Sequence, residues 1–229
     1  MDGSVNILAI ETATPVCAIG LRSATAEVVR VLDDDRRHTE VLAAGIAQLL
    51  GELHLSARDI DRVVVDAGPG LFTGLRVGIA TAIGLSEGLG CPVVAVTSLE
   101  LLAHAAHERG VRGAVLGAVD GRRGEVFVQS FELDDDVRAL SPPAVRVPRD
   151  VVIEWATNGA AVSFIGDGVQ RYLKDFAAVP NATIIDESVP SLHAAIELGA
   201  RRDPAPTISP LYLREADAVA NFSTRTRHQ

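Results

Sequence analysis

Apolar residues fall along this chain in short blocks, punctuated by turn formers, that alternate between strand and helix periods. "VNILAIE" at 5–11 predicts a buried strand and Thr12 to Pro15 a turn. "VCAIGLR" at 16–22 and "EVVRVLD" at 26–32 continue it as an antiparallel meander. Asp33-Asp34-Asp35 reads as a solvated turn. The spacing then becomes helical: "TEVLAAGIAQLLGEL" at 39–53 predicts a helix with Thr39 as its N-cap and Glu40 in its first turn. After a short turn at Ser56 come a buried strand at 62–66, a Gly-Pro-Gly loop, a helix over 72–88 and a strand at 92–96. A helix over 98–109 follows, with Ser98 as N-cap and Gly110 beyond its end.

The pattern then restarts. Residues 113–119 form a strand ending in Asp120, Gly121-Arg122-Arg123-Gly124 a turn, and 125–132 the returning strand. Beyond the proline-rich "LSPPAVRVP" come a helix at 148–157, a strand at 161–166 running into Gly166-Asp167-Gly168 and a further helix, a strand at 182–186 and a helix at 191–201. Each half opens on an apolar strand that ends in an acid, Glu11 or Asp120, and later runs a strand into a Gly-x-Gly loop and a helix. This is an internal structural repeat with almost no sequence identity. It predicts an α/β protein of two similar lobes, each a mixed sheet with flanking helices. The lobes span 1–109 and 110–229, the C-terminal segment crossing back, with a cleft at the strand ends where open α/β sheets bind ligands.

Composition narrows the function. At 229 residues and 48% hydrophobic, the chain has a core of Val, Leu, Ile and Ala. No apolar run is long enough to span a membrane, and no basic segment precedes an apolar stretch, so a cytoplasmic protein without signal peptide is expected. Cys17 and Cys91 read as buried free thiols. A net charge of −9 makes the chain a poor nucleic-acid binder alone. Lys174 is the only lysine, so any lysine chemistry must use it.

"DAGPGLFTGLRVG" at 66–78 has the outline of a phosphate loop. The Walker pattern fails, because Leu75 follows Gly74 where a lysine is needed, and the dinucleotide fingerprint fails at Thr73. Backbone N–H groups at the helix start remain as an anion site. A second reading comes from the spacing of Gly74, Gly78 and Ala82, which line one helix face. A glycine inside a helix costs about 1 kcal/mol relative to alanine, so two imply a gain from close approach. Helix 39–53 likewise leaves Ala43, Ala44 and Ala47 small and apolar on the side away from its core residues. Either both helices are simply buried, or they form a docking face built from Val41, Leu42, Ala44, Phe72, Gly74, Leu75, Gly78 and Ala82. On the docking reading, leucine at Gly74 or Gly78 breaks pairing while the monomer stays folded.

"GPGLFTGLRVG" resembles the GPG-S-FTGLR-[IV]-G signature of the TsaB (YeaZ) family. "ILAIETAT" at 7–14, "RHTEVLAAGIAQLL" at 37–50, "VTSLELLA" at 96–103, "VDGRRGEVF" at 119–127 and "PLYLR" at 210–214 extend the resemblance over about residues 5–214. Leu71 stands where serine is usual, Glu11 where aspartate is common and Gly121 where alanine is common. The resemblance implies an actin-like (ASKHA, ribonuclease H-like) fold and a non-catalytic subunit without cofactor. That subunit scaffolds a TsaD-type transferase, which places a threonylcarbamoyl group on N6 of the adenosine beside the anticodon. The implied partners are that subunit, through the N-terminal helices, and a TsaE-type ATPase, with tRNA met only through the complex; a homodimer with its own role, using the same helices, is a third reading. The alternative is an ATP- and Mg²⁺-binding enzyme that uses Glu11, Gly68, Gly70 and Asp120 across the cleft.

Other candidates carry less. His104 and His107, three apart, share a helix face with no third metal ligand evident except Glu100 or Glu108, and surface histidines are the commoner case. Arg122 and Arg123 read as a solvated hairpin tip, and Tyr212 and Arg214 as anchors of the C-terminus before a polar tail at 215–229. No activated nucleophile is evident.

Overall fold

The first meander forms: β1 (Ile7–Glu11), β2 (Ala18–Arg22) and β3 (Glu27–Val31) pair antiparallel. The parallel strands β4 (Arg62–Asp66) and β5 (Val93–Val96) extend the other edge, giving the order β3-β2-β1-β4-β5. The computed structural model describes residues 5–32, 38–204 and 207–214, without the side chains of His38 and Thr39. The expected turn at 33–35 and the tail at 215–229 lie outside the described residues.

The second sheet repeats the plan. β6 (Gly113–Arg122) and β7 (Glu125–Leu133) form its hairpin, and β10 (Val162–Ile165) and β11 (Ala182–Ile184) add in parallel beside β6. Two short edge strands both pair with β7: β8 (Val137–Ala139) just before the stretch read as proline-rich, and β9 (Ala144–Arg146) inside it. Three-residue edge strands beside prolines carry too little alternation to register in sequence. The two orders, β3-β2-β1-β4-β5 and β8-β7-β6-β10-β11, correspond strand for strand. This is the ribonuclease H-like order of actin-like lobes.

Strand alternation divides each sheet between two cores. Leu8, Ile10 and Ile19 pack under α1 (His38–Glu52) and α2 (Phe72–Leu89), against Leu42, Ile46 and Ile79. Ile7, Ala9 and Ala18 face the other way, onto Leu192 and Ile196 of α7 (Leu192–Arg201). In the second sheet Val115, Val119 and Phe131 pack on α3 (Ser98–Glu108). Leu116, Ala118 and Val126 pack on α4 (Pro148–Asn158) and on Phe176 of the short α6 (Leu173–Phe176), which follows α5 (Asp167–Arg171). The last helix of each half therefore covers the sheet of the other: α3 follows β5 yet lies on β6 and β7, and α7 follows β11 yet lies on β1, β2 and β4. α3 and α7 meet in the middle, tied by Ser191 Oγ donating to Glu108 at 2.8 Å and by the Arg202–Glu100 ion pair.

Two helix starts differ from expectation. α1 begins at His38, so Thr39 lies inside its first turn. α3 is capped by Thr97, whose hydroxyl accepts from the Glu100 N–H, and this frees Ser98 for another use.

The glycine face of α2 also points the other way. Gly74, Leu75, Gly78, Ile79 and Ala82 are buried against the chain's own sheet, and so is Leu42 of α1. A Cβ on Gly78 would sit 2.3 Å from Thr12 Oγ1, and that hydroxyl donates to the Gly74 carbonyl at 2.8 Å. The small residues thus let α2 ride directly over the end of β1, and leucine at Gly78 would act on folding before it acts on any partner. Gly84 of the same helix faces open space. Gly78→Ala is expected to lower stability by about 2 kcal/mol through overpacking. Gly84→Ala should raise it by up to about 1 kcal/mol through helix propensity. Urea denaturation of the two variants checks both signs.

Candidate functional site

The glycine loop between β4 and α2 is sewn to its surroundings. Gly68 N–H donates to Asp66 Oδ1 at 2.7 Å and Leu71 N–H to the Ala13 carbonyl at 2.6 Å. The Gly68 carbonyl accepts from Ser98 N–H at 3.0 Å. A Cβ on Gly70 would lie 2.1 Å from the Ala13 oxygen, so glycine there permits contact with the Thr12–Thr14 turn. These donors are spent within the chain rather than presented to an anion.

Beneath the loop lie two acids. Glu11, at the end of β1, is 0% exposed, and its Oε1 accepts from Thr14 N–H at 2.9 Å and Thr14 Oγ1 at 3.0 Å. Asp66, at the end of β4, is 1% exposed, and Ser98 Oγ lies 2.9 Å from its Oδ1. Glu11 Oε2 and Asp66 Oδ2 meet no other donor among the described residues. Burial first, and then the neighbouring Asp66, hold the Glu11 carboxyl well above the usual carboxylate range, and burial raises Asp66 as well. The interaction between the two carboxyl groups raises Glu11 further and works in the opposite direction on Asp66.

The second acid of the expected cleft pair is engaged elsewhere. Asp120 on β6 accepts from Arg122 N–H at 3.0 Å and faces the guanidinium groups of Arg122 at 3.1 Å and Arg171 at 3.5 Å. Its own N–H donates to Asp167, whose carboxyl is raised chiefly by burial. Glu11 turns to Asp66 and Thr14 while Asp120 turns to arginines, so the pair across the cleft is not formed. Glu11, Gly68, Gly70 and Asp120 do not fit a magnesium–nucleotide complex. Among the described residues no group of three or more His, Cys, Asp or Glu is arranged to hold a metal. His107 Nε2 lies 3.0 Å from the Asp134 carbonyl, and burial lowers the pKa of His104.

The open feature is a groove of about 460 Å³ between α1 and α2. Leu42 and Val77 form its floor, and Ala43, Phe72, Thr73, Arg76, Ala80 and Thr81 its walls. Beside it Phe72 is 45% exposed and stacks on Tyr212, itself 43% exposed, with ring centroids 5.5 Å apart. The Arg76 guanidinium lies 3.7 Å from the Phe72 ring centre, and its Nε–H donates to Tyr212 Oη at 3.2 Å. The strap 207–214 is held by Leu211 N–H on the Ala67 carbonyl and by Arg214 on Glu125 at 2.9 Å. Of the residues expected on a docking face, Phe72 and Ala44 are exposed and Val41 is half-buried. Leu42 reaches the groove only as its floor, and Gly74, Leu75, Gly78 and Ala82 point inward. Thr73, Ala80 and Tyr212 were missed; the spacing of Thr73, Ala80 and Gly84 was the available signal for the outward face.

A family model described as "TsaD: tRNA N6-adenosine threonylcarbamoyltransferase" matches residues 33–220. An uncharacterized protein of Mycobacterium tuberculosis is 35% identical over 218 residues, covering 93% of each chain. The "tRNA threonylcarbamoyladenosine biosynthesis protein TsaB" of Escherichia coli is 33% identical over 164 residues, 68% of this chain and 71% of that protein. The solved structure "YeaZ from Pseudomonas aeruginosa" superposes with a TM-score of 0.77 at 28% identity, covering 91% of this chain and 100% of that one. No helix among the described residues is long and apolar enough to cross a membrane.

Tyr212→Ala removes both the ring stack and the Arg76 hydrogen bond, and is expected to lower stability by about 1 kcal/mol. Urea unfolding measures it, with Tyr212→Phe recovering most of the loss.

Proposed function

The chain belongs to the TsaB family, within the group matched by the TsaD threonylcarbamoyltransferase model, and from that premise we propose that it is a docking subunit for making N6-threonylcarbamoyladenosine in tRNA. The observation that carries this reading is the apolar groove between α1 and α2, flanked by the exposed Phe72–Tyr212 stack. Aromatic side chains fixed beside a small-residue groove are the usual anchors of a protein interface. Among the described residues that line the groove Arg76 alone is charged, so association here is driven by burial of apolar surface.

The occupant is a TsaD-type catalytic subunit, whose helices lie across the alanines of α1 and the Thr73–Ala80 face of α2. Catalysis then belongs to that subunit, because the three strand-end acids Glu11, Asp66 and Asp120 each hold bonds within this chain. With a net charge of −9, this chain leaves the tRNA phosphates to its partners. A TsaE-type ATPase joins through the same complex, and a second copy of this chain is the competing occupant of the groove.

Ala80→Arg and Ala44→Arg place a charge on exposed positions of the two helices and should change stability by less than about 0.5 kcal/mol. Each is expected to weaken binding to the TsaD-type subunit by about a hundredfold, the scale of a lost interface anchor. Titration calorimetry with the purified subunit reads this. Wild-type affinity in both variants would show that docking uses another surface.

A further inference from the structure

Glu11 and Asp66 pose a problem that the docking reading leaves untouched. Two carboxyl groups sit in the core, each with one oxygen that accepts hydrogen bonds and another, Glu11 Oε2 or Asp66 Oδ2, without a hydrogen-bond partner among the described residues. Among the described residues no ion pair to either acid is formed. Arg76 of α2 turns out to Phe72 and Tyr212, and on α3 Glu100 pairs with Arg202 and Glu108 with Ser191. On β4 Arg62 donates to the Gly199 carbonyl of α7. β5 brings only Val and Ala, and the strap brings the Leu211 N–H to Ala67. From the approach to β2 comes the Cys17 thiol, itself pushed up to about 11 by burial and then by Glu11. Two ionised carboxylates in such a place would leave two buried charges without counterion.

We infer that Glu11 and Asp66 form a single-proton site whose occupancy holds the Gly68–Leu75 turn in place. The bonds that order this turn converge on the pair. Asp66 Oδ1 takes the Gly68 N–H and the Ser98 hydroxyl, which also lies 2.9 Å from the Pro69 carbonyl. Glu11 Oε1 fixes Thr14, whose turn carries the Ala13 carbonyl that accepts from Leu71 and the Thr12 hydroxyl that donates to Gly74. Loss of the shared proton sets two charges against each other at the node that seats the start of α2. The consequence for docking rests on the function proposed above; the proton site does not.

The sign follows from linkage. In the unfolded chain both groups ionise in the ordinary carboxylate range, near pH 4. The native pair keeps a proton above that range. The folded state therefore binds more protons, and stability falls as pH rises until the pair itself ionises. Glu11→Gln keeps an oxygen for Thr14 and gives Asp66 Oδ2 a permanent N–H donor. Asp66→Asn does the same in reverse, keeping an oxygen for Gly68 and Ser98.

Carboxyl NMR on the full chain reads the site directly, with one of the two signals expected to titrate well above the ordinary range. Completion of both titrations below pH 5 overturns the proposal. Between pH 5 and 8.5, the opening constant of residues 68–75, obtained from amide exchange after division by the intrinsic base-catalysed rate, is expected to rise with pH in the wild type and stay level in Glu11→Gln. The wild-type unfolding constant should rise against that of Glu11→Gln by up to about tenfold per pH unit until the pair ionises. Identical pH slopes in wild type and both variants overturn it. If Glu11→Gln does not fold, Asp66→Asn and the wild-type NMR decide. Affinity for the TsaD-type subunit should weaken with pH in the wild type and stay level in Glu11→Gln. A level wild-type affinity alongside a rising opening constant refutes the link to docking. Failure of the groove variants to weaken docking refutes only the docking reading.

Discussion

The exchange of final helices between the two halves is the constraint on which the molecule rests. Each sheet needs cover on both faces, and each half supplies from its own sequence only the outer helices. The inner cover is borrowed: α3 goes to the second sheet and α7 to the first. The fit is close, since a Cβ on Gly199 of α7 would stand 2.1 Å from Val64 in the middle of β4. From α7 the chain runs back past the same strand, and Leu211 and Tyr212 reach Ala67 and Phe72. The groove between α1 and α2 is therefore walled by the N-terminal half but flanked by the last described residues of the chain.

Much of this plan was legible in the sequence. The continuous apolar runs of β1 and β2, the restart at Gly113 and the paired Gly-x-Gly loops carried the two-lobe repeat, because strands buried on both faces read as unbroken apolar blocks. The direction of the α2 glycines was not legible. Spacing shows that something comes close to Gly74, Gly78 and Ala82, and it cannot say whether that is another protein or the end of β1. Val77 and Ile83 gave the other sides of α2 enough apolar surface to support either reading. The Glu11–Asp66 pair was hidden for a different reason. Asp66 closes an apolar run, "VVVD", where an acid at a strand end reads as solvent-facing, and only the return of α3, with Ser98 over it, seals it in.

The same comparison separates two uses of polarity in the N-terminal half. Around the loop, polar atoms turn inward and satisfy one another, from Thr12 and Thr14 to Asp66 and Ser98. Between the outer helices the surface is nearly free of charge although the chain is strongly acidic, with Arg76 held against an aromatic ring instead of in solvent. A rigid polar layer below a smooth apolar one suits a surface that must keep its shape before a partner arrives.

The borrowed helix also sets the order of events during synthesis. The first sheet is complete at Val96, yet α7, which covers its inner face, begins at Leu192, roughly a hundred residues later. At 5–20 residues per second a ribosome needs roughly 5–20 s to cover that distance. Through that interval Ile7, Ala9, Ala18 and Val64 have no α7 to lie against. The nascent N-terminal lobe thus carries an uncovered apolar face until α7 is made, and a chain stopped short of α7 lacks the cover of its first sheet.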